Sequence, residues 1–115
     1  MSIAFYYDVP GNPQIYAAVK AEIGPAAPRG LVTQLVLQID HGLRHMMIWN
    51  TREEWEEFRI ARVEPAVRKV LTSRGIPAPA DPPAIVPLNL VDLWAPAPPA
   101  HASAATRVAT AEGNP

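Results

Sequence analysis

The stretch LVTQLVLQIDHGLRHMMIWN, residues 31–50, decides the fold, because two apolar runs flank a short polar turn. Both runs are rich in the aliphatic, β-branched and aromatic residues that strands favour, and the turn Asp40-His41-Gly42 has the composition of a tight turn. The sequence therefore predicts a β-hairpin. The second strand of this hairpin carries a histidine, His45, near its centre.

The length of the turn determines which side chains share a face of the hairpin. A two-residue turn would put both His41 and Gly42 at positive φ, whereas a three-residue turn requires this only of Gly42. We therefore predict the three-residue turn, which also makes one face nearly all apolar, as burial normally selects. The predicted pairs are Ile39 with Leu43, Leu37 with His45, Leu35 with Met47 and Thr33 with Trp49.

The opposite face of the predicted hairpin is half apolar, which is more than a face exposed only to water usually carries. It holds Gln34, Val36, Gln38, Arg44, Met46 and Ile48. We therefore expect this face to meet another subunit.

Strand and helix patterns alternate around the hairpin. A first strand is predicted in SIAFYYDV (2–9), followed by a helix that Asn12 caps. After the hairpin, Thr51 and Glu54 have the spacing of a capping box, which predicts the start of a second helix.

The end of the second helix and the last strand both contain proline. Pro65 predicts a kink or break near Glu64, because proline lacks the N–H that a helix interior needs. The run IVPLNLVDLW (85–94) predicts a last strand, whose Pro87 suits its beginning or a sheet edge. The resulting order predicts an α+β protein with the ferredoxin-like split βαβ fold, a four-stranded antiparallel sheet with two helices on one face.

Composition limits the partners and the location that we expect. The 115 residues have a formal net charge of -1 without a basic block, so nucleic acid and anionic membranes are not expected partners. No cysteine is present, which excludes disulfides and thiolate ligands. The chain has no apolar segment of roughly 18 residues and no basic region ahead of an apolar one at its start, so we predict a cytoplasmic protein.

The chain is expected to contain one domain, residues 1–94, followed by a tail, residues 95–115. The tail sequence APAPPAHASAATRVATAEGNP is rich in proline and alanine and has one large aliphatic residue, Val108. Such a segment cannot bury enough apolar area to offset its ordering entropy. We therefore predict that the tail is disordered.

The segment GLVTQLVLQIDHGLRHMMIWNTREEWEEFRIARVEPAV, residues 30–67, resembles the dimeric α+β barrel superfamily, and within it the small proteins similar to antibiotic biosynthesis monooxygenases. The shared features are a strand ending in tryptophan, a capped turn, a helix with an aromatic pair, and a proline before the closing helical segment. Here these are Trp49, Thr51 with Glu54, Trp55 with Phe58, and Pro65.

The resemblance implies a homodimer in which two sheets pack face to face into a barrel, with a pocket between the helices and the sheet of each subunit. Relatives include cofactor-free oxygenases of phenolic polyketides, haem degraders and decarboxylases. Haem degraders of the family need an axial histidine on the second helix, and residues 52–74 contain none. We therefore expect no cofactor, and a small apolar or aromatic molecule as the ligand.

His45 is the candidate catalytic residue. On the apolar face it could act as the base that deprotonates a phenolic substrate, so that the resulting carbanion reacts with dioxygen. The structural alternative is a core histidine hydrogen-bonded to Tyr7 or to the backbone, because an unpaired buried imidazole costs roughly 1–3 kcal/mol. Both interpretations remain open at the level of the sequence.

Five further residues are predicted to line the pocket. Large aromatics beside a helix cap can stack on an aromatic ligand or can belong to the core, and an amide at a strand end can hold a substrate oxygen or simply form the turn. The pocket-lining candidates are Tyr7, Trp49, Asn50, Trp55 and Phe58. A metal site built from Asp40, His41 and His45 is not expected, because the turn and the strand hold these side chains apart and no third imidazole is present in the domain.

The sequence thus predicts a small homodimeric α+β barrel protein with an apolar pocket for an aromatic ligand. The alternative is a cofactor-independent monooxygenase, or a related small enzyme, that acts on an aromatic polyketide-like substrate.

Overall fold

A computed structural model describes residues 2–94. The elements in chain order are β1 (Ile3–Val9), α1 (Pro13–Ile23), β2 (Leu31–Ile39), β3 (Gly42–Trp49), α2 (Arg52–Phe58), a π-helical turn (Arg59–Val63), α3 (Glu64–Ser73) and β4 (Val86–Leu88). Within residues 2–94 no helix has the length and apolar character needed to cross a membrane. The tail predicted at 95–115 lies outside the described residues.

The four strands form one antiparallel sheet in the order β2-β3-β1-β4. Trp55 of α2 and Tyr16 of α1 both contact rings on the same face of this sheet. We call this the covered face, and the opposite side the open face. The predicted α+β class with a ferredoxin-like arrangement is confirmed.

Both predicted helix caps are present. The Asn12 side chain accepts a hydrogen bond from the Ile15 N–H at 2.8 Å, and Thr51 accepts one from the Glu54 N–H at 3.1 Å. The Thr51 hydroxyl also donates to the Glu54 carboxylate at 2.9 Å. Each cap satisfies a helix N-terminal amide that would otherwise lack a partner.

The predicted register of the hairpin is wrong by one residue. His45 lies opposite Val36 rather than Leu37, and Ile39 pairs directly with Gly42, so the turn contains two residues. This replaces the predicted pairs Ile39–Leu43, Leu37–His45, Leu35–Met47 and Thr33–Trp49. Gln34, Val36 and Gln38 consequently belong to the covered face, and Thr33, Leu35 and Leu37 to the open face.

Gly42 explains the shorter turn. It is buried and has a φ of 156°, and the Val9 carbonyl lies where a side chain on residue 42 would begin. A residue this close to β1 belongs to the sheet rather than to the turn. Asp40 and His41 close the turn without positive φ, which among the described residues occurs only at glycines. The turn that forms, Asp40-His41, is therefore neither the predicted three-residue turn nor the His41-Gly42 turn that was considered as its alternative.

A β-bulge in β2 places Leu31, at the start of this strand, on the covered face. The pairing shifts between Leu31 and Thr33, so that Leu31 lies opposite Trp49 and packs against the core. The bulge leaves Val32 as the extra residue. A regular strand cannot place both Leu31 and Gln34 on one face, and this is why alternation alone gave the wrong register.

The irregularity predicted near Glu64 takes the form of a π-helical turn. The Glu64 N–H donates to the Arg59 carbonyl, five residues earlier, and α3 continues without a break. Pro65 lacks an N–H, and its ring would clash with the carbonyl four residues before it in a regular helix. The wider turn relieves this clash at the place where the proline enters.

The last strand is shorter than predicted. β4 pairs with β1 only over Val86–Leu88, and the chain from 89 to 94 forms no strand, although we predicted one across 85–94. Every residue from Val86 to Trp94 is exposed. Pro87 lies within the short strand at the sheet edge, where a missing N–H is tolerated.

Candidate functional site

The predicted catalytic residue, His45, forms a cluster with two tyrosine rings on the covered face. His45 stacks on Tyr7 with ring centroids 4.9 Å apart and planes 6° from parallel. Tyr16 of α1 approaches His45 edge-on at 5.7 Å. The sheet supplies two members of this cluster and the helix above it supplies the third.

A hydrogen bond joins α1 to the sheet beside this cluster. The Gln34 amide donates to the Tyr16 hydroxyl at 3.2 Å. We did not predict either residue as part of the site, because the wrong register put Gln34 on the open face. Tyr16 belonged to the apolar stripe of the predicted helix, so its hydroxyl was the only signal that could have singled it out.

Burial changes the protonation of the two central groups. It lowers the pKa of His45 to about 4, and the nearby Asp8 charge offsets only part of this effect. Burial also raises the pKa of Tyr7 well above its usual value, and the neighbouring Tyr16 adds to the shift. At neutral pH the cluster therefore consists of a neutral imidazole beside neutral phenols.

Neither His45 nor the Tyr7 hydroxyl has a hydrogen-bond partner among residues 2–94. The predicted alternative of a core histidine bonded to Tyr7 is therefore replaced by ring stacking. Polar groups removed from water normally have a partner, because an unmet one costs on the order of 1–3 kcal/mol. The cluster thus presents two polar groups that a bound molecule could satisfy.

The tryptophans predicted to line the pocket lie inside the core. Trp49 and Trp55 are fully buried with ring centroids 5.7 Å apart, and Phe58 packs on Trp49 at 5.5 Å. The Trp49 indole N–H donates to the Met47 sulfur at 3.3 Å. Trp55 connects these core rings to the His45 cluster, because its ring centroid lies 5.9 Å from that of Tyr7.

Asn50 lies apart from the ring cluster. It is exposed at the end of β3, and its backbone N–H donates to the Gly30 carbonyl at 2.7 Å. The structure thus brings Tyr7 and His45 together above the tryptophans but leaves Asn50 at the strand end. Its role as a substrate contact stays a prediction.

Helix α1 covers the cluster without being anchored in the core. None of its residues is fully buried. Its C-terminal end is held from the π-helical turn, where Arg62 donates to the carbonyls of Ile23 at 3.0 Å and Ala26 at 3.1 Å. A cation at the C-terminus of a helix satisfies free carbonyls and interacts favourably with the helix dipole.

Two open cavities lie near the cluster but do not include it. One of about 480 Å³ is lined by the hairpin end and the end of β1, including Asp8, Asp40 and His41. The other, of about 250 Å³, lies between α1 on one side and the π-helical turn and α3 on the other, at Arg62. His45 lines neither of these cavities. In the described part of the chain no three potential metal ligands lie together.

The open face of the sheet is not covered by any helix within residues 2–94. It carries Ala4, Tyr6, Thr33, Leu35, Leu37, Met46, Ile48, Val86 and Leu88, together with one ion pair. Leu35 is 57% exposed and Leu37 43% exposed. This face is more apolar than the predicted register allowed, because the corrected register exchanges three β2 residues, two of them glutamines, for Thr33, Leu35 and Leu37.

The ion pair lies towards one end of the open face. Arg44 donates to both carboxylate oxygens of Asp8, at 2.8 and 3.1 Å, and its guanidinium lies 4.3 Å from the ring centre of Tyr6. The bond from Arg44 holds the pKa of Asp8 below its usual value. The remaining side chains of the face are apolar or uncharged, so the charge is confined to this end.

No protein-family model matches the chain, and no curated protein matches it. Among solved structures the chain is similar to that of Rv0793 from Mycobacterium tuberculosis. The two share 19% sequence identity with a TM-score of 0.50, and the alignment covers 83% of this chain and 100% of Rv0793. A likeness at this level of identity establishes the fold alone, a small α+β protein with a four-stranded antiparallel sheet.

Proposed function

We propose that this chain is a homodimeric α+β barrel protein that binds a small aromatic molecule between α1 and the covered face, at His45. The observation that carries the proposal is a pair of polar groups, the His45 ring and the Tyr7 hydroxyl, that have no hydrogen-bond partner among residues 2–94 and lie in a cluster of aromatic rings. A flat ligand with one hydroxyl would stack on the rings and satisfy those groups. Sites of this type combine an apolar lining with few polar contacts.

The weak anchoring of α1 supports this location. Its inward-facing apolar side chains are only partly exposed, but none is fully buried, so a small outward shift of the helix leaves the central core of Phe5, Trp49 and Trp55 intact. The Gln34–Tyr16 hydrogen bond is the polar contact between α1 and the sheet that such a shift would break. Both partners of that bond are then available to the ligand.

The dimer is supported by the open face. Exposed leucines on β2 and exposed Val86 and Leu88 on β4 extend an apolar surface across the whole sheet. Sheets normally bury such a face against another layer, about 10 Å away. A second copy of the chain offers the same surface, and two copies would cover each other.

Catalysis as a cofactor-independent monooxygenase is the second candidate, favoured by a neutral imidazole inside an aromatic site. The base would take a proton from a phenolic substrate, and the carbanion would react with dioxygen. A pKa of about 4 makes His45 a weak base towards a phenol of pKa about 10. Binding therefore accounts for this imidazole better than proton abstraction does, unless the bound substrate raises its pKa.

Titration with 2-naphthol tests the binding site. We expect saturable binding to the full-length chain, and we expect His45→Phe to abolish it, because the larger ring fills the site and removes the polar group. His41→Phe is the matched control, since His41 is exposed in the turn. Equal binding of 2-naphthol by the two variants would show that the ligand does not bind at His45.

Native mass spectrometry at gentle activation tests the dimer. A species of twice 12.5 kDa supports the barrel, and a reproducible extra mass on each subunit would provide the natural ligand for identification. A monomer at micromolar concentration would overturn the proposed assembly.

Oxygen uptake separates the two candidate functions. If phenolic ligands that bind cause oxygen consumption, and if His45→Gln binds them without turnover, the monooxygenase is supported. Binding without oxygen uptake by any phenolic ligand leaves the chain as a binding protein.

A further inference from the structure

We propose that the site at His45 selects its ligand by charge, so that it binds an aromatic hydroxyl compound in the uncharged form and excludes the corresponding anion. This inference rests on the proposed binding function and adds the protonation state of the ligand. It follows from the positions of the charged groups. Within residues 2–94 no arginine or lysine lies against the rings of His45 or Tyr7.

Arg44 is next to His45 in the sequence but lies on the other side of the sheet. Successive side chains of a strand point to opposite faces, so Arg44 belongs to the open face. There it donates to both carboxylate oxygens of Asp8, and its guanidinium lies 4.3 Å from the ring centre of Tyr6. Its charge is therefore paired with a carboxylate and separated from the ring cluster by the sheet.

The cations of the helices are also directed away from the cluster. Arg62 donates to the carbonyls of Ile23 and Ala26 at the C-terminal end of α1. Lys20 is exposed on α1, and its ammonium lies 6.0 Å from the ring centre of Tyr16. An exposed ammonium is hydrated and screened by salt, so it stabilises a buried anion only weakly.

The charge that does act on the cluster is negative. Among the charged groups of residues 2–94, the Asp8 carboxylate is the one that shifts the pKa of His45, although burial outweighs it and keeps the imidazole neutral. The side chains that face His45 are Tyr7 from β1, Val36 from β2 and Tyr16 from α1, and none of them carries a positive charge.

A ligand anion between these rings would lose its water without gaining a counter-ion. Burying an isolated charge costs far more than burying a neutral hydroxyl that makes a hydrogen bond. A neutral hydroxyl can donate to one nitrogen of the imidazole or accept from the other. The anion can only accept, and it is repelled by the Asp8 carboxylate. The protonated ligand is therefore the form that fits this site.

The absorbance of 4-nitrophenol tests this selection. Its hydroxyl ionises near neutral pH, and its anion has an absorption band of its own, so the spectrum reports which form the protein binds. Where half of the compound is ionised, adding the full-length chain should decrease the anion band, because binding withdraws the neutral form from the equilibrium. Above the pKa of the free compound, the apparent dissociation constant should rise about tenfold for each pH unit.

4-Nitroanisole is the matched control ligand, because it cannot ionise and should bind with the same affinity at each pH. His45 stays neutral over this range, the raised pKa of Tyr7 keeps its phenol protonated, and the lowered pKa of Asp8 keeps its carboxylate charged. A pH dependence equal to that of 4-nitrophenol would assign the effect to the protein and overturn the inference. His45→Phe should abolish the change in absorbance, and His41→Phe should retain it.

Two naphthalene derivatives separate charge from size. 2-Naphthoate and 2-naphthamide have similar shapes, but only the first is charged at neutral pH. We expect the full-length chain to bind the amide, and to bind the carboxylate at least about a hundredfold more weakly. Equal affinities would overturn the inference, as would an increase in the anion band of 4-nitrophenol. Binding of 2-naphthoate that Lys20→Met removes would identify Lys20 as a counter-ion and overturn it too.

The outcomes distinguish this inference from the proposed function on which it rests. If no neutral aromatic ligand binds, the binding function itself fails. If 2-naphthol and the phenolate of 4-nitrophenol both bind at His45, the binding function stands and the charge selection is overturned.

Discussion

The two faces of the sheet differ in how much of their apolar surface is buried. On the covered face, rings from strands and helices fill the space, and Trp49 is 0% exposed. On the open face the side chains are also apolar, but Leu35, Leu37 and Val86 remain 40% or more exposed. The comparison teaches that residues 2–94 supply enough helix to bury one face only, and that the proposed dimer would cover the apolar side chains of the other.

The largest effect is expected from truncation on the covered face. Trp49→Ala removes a fully buried ring and should lower the free energy of unfolding by about 3–5 kcal/mol. Urea unfolding followed by circular dichroism measures this loss. Ile60→Ala, at a residue that is 57% exposed, is the control and should cost less than about 1 kcal/mol. Similar losses in both variants would mean that the covered face is not the core.

The second-largest effect is a pH dependence of the free energy of unfolding that comes from the His45 imidazole. Its pKa of about 4 in the folded chain lies below the ordinary 6.5, so protonation favours the unfolded chain. The stability is therefore fully present above pH 6.5 and is lost as pH falls towards 4, on the order of 3 kcal/mol in total. Unfolding measured from pH 7 to 4 should show this loss in the wild type.

His45→Phe should flatten the pH dependence of stability in this window, and His41→Phe should leave it as in the wild type. The remaining slope at lower pH belongs to carboxylates such as Asp8, whose lowered pKa makes its contribution disappear as pH falls. A His45→Phe variant with the full wild-type slope would contradict the burial of this imidazole.

The third effect concerns the open face and assembly. Leu35→Asp places a charge at the centre of the proposed dimer interface and should raise the dimer dissociation constant at least tenfold, about 1.4 kcal/mol. Ile60→Asp is a matched control, because Leu35 and Ile60 are both 57% exposed. Sedimentation velocity over a concentration series measures both. Equal behaviour of the two variants would make the open face an ordinary surface.

The smallest effect is expected where α1 meets the covered face. Tyr16→Phe removes the hydroxyl that accepts the hydrogen bond from Gln34 and should lower the free energy of unfolding by about 1 kcal/mol. Thermal unfolding detects this change. Gln34→Ala combined with Tyr16→Phe should cost little more than either change alone, because both remove the same bond. Additive losses would show that the two side chains act separately.

The sequence was sufficient to predict the order of elements, because caps such as Asn12 and Thr51 and the apolar runs between them are local signals. The hairpin register depends on two non-local facts, the contact between Gly42 and the Val9 carbonyl and the bulge at Val32. Neither fact can be predicted from the alternation of apolar and polar residues in the sequence. The error moved Gln34 to the wrong face and hid its contact with Tyr16.

The candidate site was predicted only in part. His45 and Tyr7 lie in register on neighbouring strands, and the apolar alternation of β1 was enough to suggest that they meet. The tryptophans were ambiguous because the same ring can stack on a ligand or fill a core, and their burial assigns Trp49 and Trp55 to the core. The length of β4 could not be predicted, since it depends on where β1 begins.

The close pair of buried indoles also has an optical consequence. Trp49 and Trp55 lie 5.7 Å apart with their planes at 51°, a skewed arrangement in which the electronic transitions of the two rings couple. Such coupling produces paired bands of opposite sign in circular dichroism, to which an isolated Trp94 adds nothing. The covered face thus carries its own spectroscopic label, and the loss of this signal marks the moment when α2 separates from the sheet.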